Sequence, residues 1–171
     1  LLCSVARIVL DPQLGAVHGE WRDETRTIAL NPTIFTSQEV FGWPGAQISR
    51  LVHTLVHEYC HAWGSQTGLD MDTAWLTLFG FVQSTHDIPV GYARYVERRP
   101  GWSRKPTPWV YKADTFFLRR YSSKSPSEAF ADAGLYVLAG WQEKFRNGGE
   151  YQLKYMVKCF AEAEKQLRIA A

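Results

Sequence analysis

His57, Glu58 and His61 form an H-E-x-x-H motif, whose residue types and spacing suit a metal-dependent hydrolase. Residues four apart lie one above the other on a helix, so the two imidazoles can present a nitrogen to the same cation. Neutral imidazoles are good zinc ligands, and one zinc ion per chain is the predicted cofactor. The carboxylate of Glu58 would lie beside the ion, where it can take a proton from a bound water and pass it to a leaving amine. Glu58 is therefore the predicted general base.

Two imidazoles do not hold zinc firmly, and the sequence predicts Glu128 as the third ligand. Glu128 lies at the start of a predicted helix, and Asp132 follows four residues later on the same face. A metal-bound imidazole usually donates its other N–H to a carboxylate or carbonyl group, so Asp132 is the candidate partner of His57 or His61. A second interpretation stays open for both carboxylates, with Glu128 as a capping-box residue only and Asp132 on a solvated helix face.

Three other side chains compete with Glu128 for the role of third ligand. Asp70 and Asp72 are loosely similar to the aspartate ligand of the aspzincins, and His86 is a more distant candidate. A metzincin would have its third histidine six residues after the second one, but Thr67 occupies that position. The spacing of the motifs favours Glu128 over these alternatives.

Tyr121 lies seven residues before Glu128, at the start of a polar loop. Next to zinc, a phenol could donate a hydrogen bond to the oxyanion of a tetrahedral intermediate, a charge that develops only as the reaction proceeds. A tyrosine packed at the edge of a loop fits the same spacing. Tyr121 is thus the second candidate catalytic residue.

Four predicted helices carry or support these residues. Apolar side chains recur at steps of three and four residues through 46–63, which predicts the helix of the H-E-x-x-H motif, ended by Gly64. Further helices are predicted at 73–82, from the N-cap Ser125 to about residue 140, and at 150–167. The last of these is expected to pack on the outside of the core.

Two short apolar runs, at 5–10 and 26–30, predict strands before the first helix. The polar segment 15–24 between them suits a loop or hairpin, and 87–108, with four prolines, predicts an irregular insertion. The sequence therefore predicts an α+β fold in a single domain that spans 1–171. Its parts are a small N-terminal sheet, the active-site helix and a mainly helical C-terminal part.

The composition is that of an ordinary globular protein. Hydrophobic residues make up 46% and charged residues 21% of the 171 residues. Nineteen Lys and Arg against 17 Asp and Glu leave a net charge of +2, which does not by itself indicate a polyanionic partner. The three cysteines, Cys3, Cys60 and Cys159, predict no disulfide framework, and no apolar run reaches the length of a membrane span.

Taken together, the motifs resemble one family of zinc peptidases. These motifs are, in chain order, His57-Glu58-x-x-His61, Tyr121 and Glu128-x-x-Ala131-Asp132. In this order they are similar to the gluzincin-type peptidases related to the catalytic domain of anthrax lethal factor and to the Pro-Pro endopeptidases. The spacing from Tyr121 to Glu128 is the most specific part of the resemblance.

The resemblance implies a zincin-like metallopeptidase fold and a role for each residue of the motifs. It implies that His57, His61 and Glu128 bind zinc, that Glu58 is the base and that Tyr121 assists the oxyanion. An acidic residue is also expected four positions after the ligand glutamate. Members of this family are bacterial, so the resemblance favours a secreted or delivered toxin or effector.

An endopeptidase acting on protein or peptide substrates is the leading hypothesis, with the predicted strand 26–30 as the edge strand that pairs with the extended substrate. One alternative is a nucleic-acid-associated zinc protein, since basic and aromatic residues are interspersed between 92 and 120. The nearly balanced charge makes nucleic acid the less favoured partner. Another alternative is a catalytically silent, zinc-containing binding module, although structural zinc sites usually have four protein ligands and no base. The basic residues considered for the nucleic-acid alternative are Arg94, Arg98, Arg99, Arg104, Lys105, Arg119 and Arg120.

Overall fold

The N-terminal part of the chain forms a small mixed sheet. The computed structural model describes residues 4–84, 86–96 and 107–170. Its first three strands are β1 (Arg7–Leu10), β2 (Gly19–Arg22) and β3 (Thr27–Leu30). β3 lies between the other two, parallel to β1 and antiparallel to β2. Both predicted strands are therefore confirmed, and the predicted loop or hairpin contributes β2.

The position of β3 corrects one prediction about substrate binding. The segment 26–30 was expected to be an edge strand, but β3 is paired on both sides and all four of its residues are buried. Its main chain therefore has no free edge for a substrate. Within the described part of the chain, β1 and β2 are the edge strands of this sheet.

The helix that carries the H-E-x-x-H motif follows a short ribbon of β4 (Val40–Phe41) and β5 (Ile48–Ser49). This helix, α1, spans Arg50–Thr67, and the hydroxyl group of Ser49 caps it by accepting a hydrogen bond from the next turn. The predicted start at residue 46 is four residues early, because 46–49 belong to the ribbon and the cap. Gly68, in the left-handed conformation, ends the helix.

Gly64 does not end α1, contrary to the prediction. It lies inside the helix and is buried, and a Cβ atom at this position would lie only 2.9 Å from the ring of Phe130. A glycine is needed here because another helix, α3 (Pro126–Leu138), approaches α1 closely at this point. Gly134 of α3 has the reciprocal role, since a Cβ there would lie 2.6 Å from Sγ of Cys60.

The middle of the chain forms one short helix and three short strands: α2 (Thr73–Phe79), β6 (Val82–Gln83), β7 (Tyr92–Ala93) and β8 (Trp109–Lys112). The predicted helix 73–82 is shorter than expected because left-handed Gly80 ends it. The strands pair in the order β6-β8-β7. The predicted irregular insertion 87–108 thus contains β7, and its residues 97–106 lie outside the described residues.

The C-terminal half is mainly helical, as predicted. α3 is followed by α4 (Glu150–Ala170), and both pack against each other. The main core lies among the helices and consists of large apolar and small side chains: Ala62, Trp63, Trp75, Phe79, Phe81, Ala129, Phe130, Ala133, Phe145 and Met156. A smaller cluster of Ile28, Leu30 and Ile34 packs between the sheet and α1. The fold is therefore α+β, and most of its tryptophans serve packing.

Two further findings concern the cysteines and the membrane. Cys60 and Cys159 are free thiols, Cys60 buried and Cys159 partly buried, while Cys3 lies outside the described residues. Over the described ranges, no helix is both long enough and apolar enough to cross a bilayer.

Candidate metal centre

Three side chains from α1 and α3 converge on one point. The Nε2 atoms of His57 and His61 are 3.1 Å apart, and both lie near Oε2 of Glu128, at 3.2 and 3.3 Å respectively. Among the residues that the structure describes, this is the one cluster of three or more His, Cys, Asp or Glu side chains that could hold a metal ion. The three predicted ligands are therefore together in space.

The spacing of these atoms fits a four-coordinate ion. At metal–ligand distances of about 2.0–2.1 Å, two ligands of a regular tetrahedron are about 3.3–3.4 Å apart. The observed separations of 3.1 to 3.3 Å come close to that value. Three protein ligands leave the fourth position open, as catalytic zinc sites do. The residues present thus fit one metal ion with room for a water or a substrate atom.

Local sequence explains why Glu128 points to the histidines. The hydroxyl group of Ser125 caps α3 by accepting a hydrogen bond from the backbone N–H of Glu128, at 3.2 Å. The carboxylate of Glu128 contacts the two imidazoles. At its buried start α3 is also tied to α2, because the indole Nε1 of Trp75 donates to the carbonyl of Pro126 at 3.0 Å. These bonds place the third ligand in the first turn of α3.

A buried ionic network lies behind His57. Oδ1 of Asp132 lies 3.0 Å from Nδ1 of His57, so the structure places Asp132 where a supporting carboxylate was expected. Asp132 is fully buried, and Arg119 donates to both of its oxygens, through Nε at 2.6 Å and through Nη2. Ser122 adds a third hydrogen bond at 2.6 Å. Asp132 is therefore not on a solvated face.

His61 has a different supporting group. Its Nδ1 lies 2.9 Å from Oγ of Ser127, which is also hydrogen-bonded to the buried carboxyl group of Asp70. Burial raises the pKa of Asp70, and Ser127 partly opposes this effect. Sequence reasoning missed Ser127, although its place next to the ligand Glu128 was a usable signal. Each histidine thus has a polar partner on the side away from the metal point.

The charges of the site stabilise one another across α1 and α3. Burial lowers the pKa of His57, but its hydrogen bonds with Asp132 and Glu128 outweigh burial and raise that pKa to about 10. Burial raises the pKa of Glu128, but His57 and His61 hold it well below its usual value. With no metal bound, these shifts favour a protonated, positively charged His57 beside the two carboxylates. A metal cation would take the place of that proton.

Glu58 lines a cavity of about 350 Å³ that opens beside the three metal-binding side chains. The side chain is buried and is held closely by β2, because a Cβ atom at Gly19 would lie 3.2 Å from its Oε1 atom and 2.4 Å from Thr54. β2 can pass this closely over α1 only with glycine at that position. The predicted base therefore faces the same space as the predicted ligands.

Tyr121 lines the same cavity, from a 3₁₀ helix that spans Arg120–Lys124. Its hydroxyl group accepts a hydrogen bond from Nζ of Lys124 at 3.0 Å, and Nζ also donates to Oε1 of Glu128 at 3.2 Å. Sequence reasoning missed Lys124, which connects a candidate catalytic residue with a candidate ligand. Lys124 lies four residues before Glu128 in the sequence, and this spacing was the signal for the contact.

The alternative third ligands lie elsewhere. Asp72 caps α2 by accepting a hydrogen bond from the backbone of Ala74 at 2.6 Å, and Asp70 contacts Ser127 behind His61. His86 is exposed and is not part of the cluster.

Comparisons with known proteins add no assignment. No protein family, curated protein or solved structure matches the chain. The class of site therefore follows from its own chemistry: two imidazoles and one carboxylate around a point that fits a metal ion, and a further carboxylate on the adjacent cavity.

Proposed function

We propose that the chain is a zinc-dependent endopeptidase with a zincin-like fold. The observation that carries the proposal is the triangle of two imidazole nitrogens and one carboxylate oxygen, with sides of 3.1, 3.2 and 3.3 Å, beside a cavity lined by Glu58. Two histidines and one glutamate are a common ligand set of catalytic zinc. A structural zinc site would more often have a fourth protein ligand.

The residues around the cavity have the groups that peptide hydrolysis needs. Zinc bound there would polarise a water molecule and the scissile carbonyl group. The carboxylate of Glu58 takes a proton from the attacking water and later gives it to the leaving amine. The hydroxyl group of Tyr121 donates a hydrogen bond to the developing oxyanion. Asp132 and Ser127 orient the imidazoles of the two histidine ligands.

The proposal also assigns the strand that holds the substrate. β2 is an edge strand, and its residues Gly19, Glu20 and Trp21 line the cavity next to Glu58. An extended peptide that pairs with β2 would run past the metal centre with its main chain fixed by hydrogen bonds. This assignment replaces the earlier expectation for segment 26–30, which forms the central strand.

Elemental analysis combined with digestion of a random peptide library tests the proposal. We expect about one zinc per chain and cleavage of peptides by the unmodified protein. Glu128→Ala should lose both, while His86→Ala, at an exposed rival ligand, should keep both. Glu58→Gln should keep zinc and lose at least about 100-fold in kcat, as expected for a missing general base.

Each alternative function predicts a different result, the first in this experiment and the second in a separate nucleic-acid binding measurement. A silent binding module would hold zinc and cleave no peptide. A nucleic-acid-binding protein would show salt-dependent binding to nucleic acid. Within the described residues, three of the arginines considered for that role are engaged in the fold: Arg119 binds Asp132, Arg94 donates to a carbonyl at 2.5 Å and Arg120 to another at 2.7 Å. This use of the arginines favours the peptidase.

A further inference from the structure

A second, smaller cavity lies next to the metal centre. Its volume is about 140 Å³, and it shares three functional wall residues, His57, Glu58 and Tyr121, with the larger cavity. Arg50 and Arg119 form two of its remaining walls. In the part of the chain that the structure describes, Glu58 is the one carboxylate among its lining residues. The cavity therefore joins the reaction site to two guanidinium groups.

One N–H donor of Arg50 has no acceptor among the described residues. Its Nη2 atom pairs with the carboxylate of Glu39, and its guanidinium group lies 4.8 Å from the ring centre of Phe41. Its Nε atom is buried and, among the described residues, has no hydrogen-bond partner. The Nε atom is enclosed and out of reach of a ligand, but Arg50 lines the cavity with the rest of its partly exposed side chain, so its guanidinium group brings positive charge to that wall.

Arg119 offers the second guanidinium group. Its Nε and Nη2 atoms bind Asp132, but 32% of the side chain is exposed. A guanidinium group has five N–H donors in a planar fork, so a bidentate pair on one edge leaves donors on the other edge. Two such groups on one small cavity favour a carboxylate, which accepts hydrogen bonds with both oxygens.

We propose that this cavity is a subsite for a carboxylate group of the substrate, bound by Arg50 and Arg119 next to the scissile bond. The inference deepens the proposed endopeptidase function and rests on it. A volume of about 140 Å³ leaves room for one acidic side chain or one chain terminus.

The part of the larger cavity that the smaller one does not share has carboxylates on its wall together with Lys124. Glu20 and Asp23 line it there, and Asp23 accepts hydrogen bonds from Trp21 and from Ser65, each at 2.6 Å. A substrate carboxylate would be less favoured beside Glu20 and Asp23 than beside Arg50 and Arg119. The charge distribution therefore sets the direction in which an acidic peptide lies across the metal centre.

Cleavage of paired peptides tests the subsite. Peptides cleaved by the zinc-loaded protein are remade with Glu or Gln at each position next to the scissile bond, and kcat/KM is compared. We expect a preference of about 10- to 100-fold for Glu at one position, because a charged hydrogen-bonded group is lost in the Gln peptide. Arg50→Gln should bring the ratio close to one, and Glu39→Gln, which frees Arg50, should raise it. Lys154→Gln, which removes an exposed charge from α4, is the control.

Peptides with a free and with an amidated C-terminus distinguish an acidic side chain from the chain terminus as the bound carboxylate. A preference that survives C-terminal amidation of the peptide assigns the subsite to an acidic side chain, whereas a preference that amidation abolishes assigns it to the chain terminus. Equal rates for Glu and Gln peptides at every position, or a preference that Arg50→Gln leaves intact, would overturn the subsite.

A binding measurement keeps the inference testable if no peptide is cleaved. Ligand-observed NMR of the metal-free protein compares glutarate with glutaramide, so that zinc cannot bind the carboxylate. Glutarate should bind at least about 10-fold more tightly, and Arg50→Gln should remove the difference. Failure of cleavage with this difference present would refute the endopeptidase but not the carboxylate site, and absence of the difference would refute the site.

Discussion

His57 lies between the carboxylates of Glu128 and Asp132. One ring nitrogen faces Glu128 and the other faces Asp132, and Arg119 in turn neutralises Asp132. Two carboxylates beside one imidazole would make a site with excess negative charge if Arg119 were absent. With Arg119 in place, Asp132 can orient the ring and Glu128 stays available for a cation. We therefore expect metal binding to depend on Asp132 and Arg119 as well as on the three ligands.

We predict that Asp132→Asn lowers the affinity for zinc about 10- to 100-fold, because the ring of His57 loses its charged partner. The substitution keeps the shape of the side chain, so the ligands remain in place. Competition with a chromophoric chelator measures the dissociation constant. Ser122→Ala, which removes one hydrogen bond from the same carboxylate, should have a smaller effect. An unchanged zinc affinity in Asp132→Asn would show that the carboxylate has no supporting role.

At the scale of elements, the crossing of α1 and α3 builds the centre. α1 carries both histidines, α3 begins with the glutamate, and Gly64 and Gly134 allow the two helices to approach. The distance between ligands on different helices depends on this approach, so packing far from the metal point is expected to affect metal binding. Helix separation thus acts as a structural determinant of the site.

We predict that Gly134→Ala destabilises the protein by about 1–3 kcal/mol, because the new methyl group would lie 2.6 Å from Sγ of Cys60. Cys60→Ala combined with Gly134→Ala makes room for the methyl group and should recover much of the loss. Unfolding in denaturant, with the two single variants and the double variant, measures the coupling between the positions. Strictly additive effects would mean that this close approach does not limit the packing.

Periodicity predicted the elements better than their ends. Apolar spacing is strong in α1, and the N-cap pattern at Ser125 marks the start of α3, so both helices were predicted along with the ligands they carry. The end of α1 was predicted at Gly64 because a glycine often ends a helix, but this glycine serves contact with Phe130, a residue distant in sequence. The place of β3 in the centre of the sheet likewise depends on its pairing with β1 and β2, which a single strand pattern does not encode.

At the scale of the whole molecule, one large core connects the helices and a smaller one connects the sheet to α1. α1 belongs to both, since its buried face contacts α3 and its partly buried residues contact the sheet. On the sheet side, Gly19 of β2 lies against Glu58 of α1. On the helical side, α3 carries Glu128, which contacts His57 of α1. A bound metal therefore links parts of the chain that meet only in the complete fold.

We predict that zinc raises the thermal stability of the whole chain. At a free concentration 100 times its dissociation constant, a ligand specific for the native state adds about 2.7 kcal/mol, which corresponds to about 5–10 °C in Tm for a chain of this size. Differential scanning calorimetry with and without zinc measures the shift. Glu128→Ala should show little shift, and an equal shift in both proteins would place the metal at other residues.

The side chains in and beside the 3₁₀ helix before α3 were the hardest to predict. Arg119, Ser127 and Lys124 act on the centre through contacts that lie in or beside the 3₁₀ helix before α3. Such segments have no repeating pattern, so Ser127 and Lys124 could be suggested only by their closeness to Glu128 in the sequence, and Arg119 had no signal. Arg50 and Arg119 are 69 positions apart in the sequence, so only the folded chain reveals that they share a cavity.

The separation of the ligands along the chain has a consequence for biosynthesis. His61 and Glu128 are 67 residues apart, and α3 must dock on α1 before their side chains meet. A growing polypeptide on the ribosome carries the H-E-x-x-H segment well before the third ligand has been made. For the proposed peptidase, this order of synthesis is a built-in delay, so the nascent chain has no complete centre with which to attack the proteins of the cell that makes it.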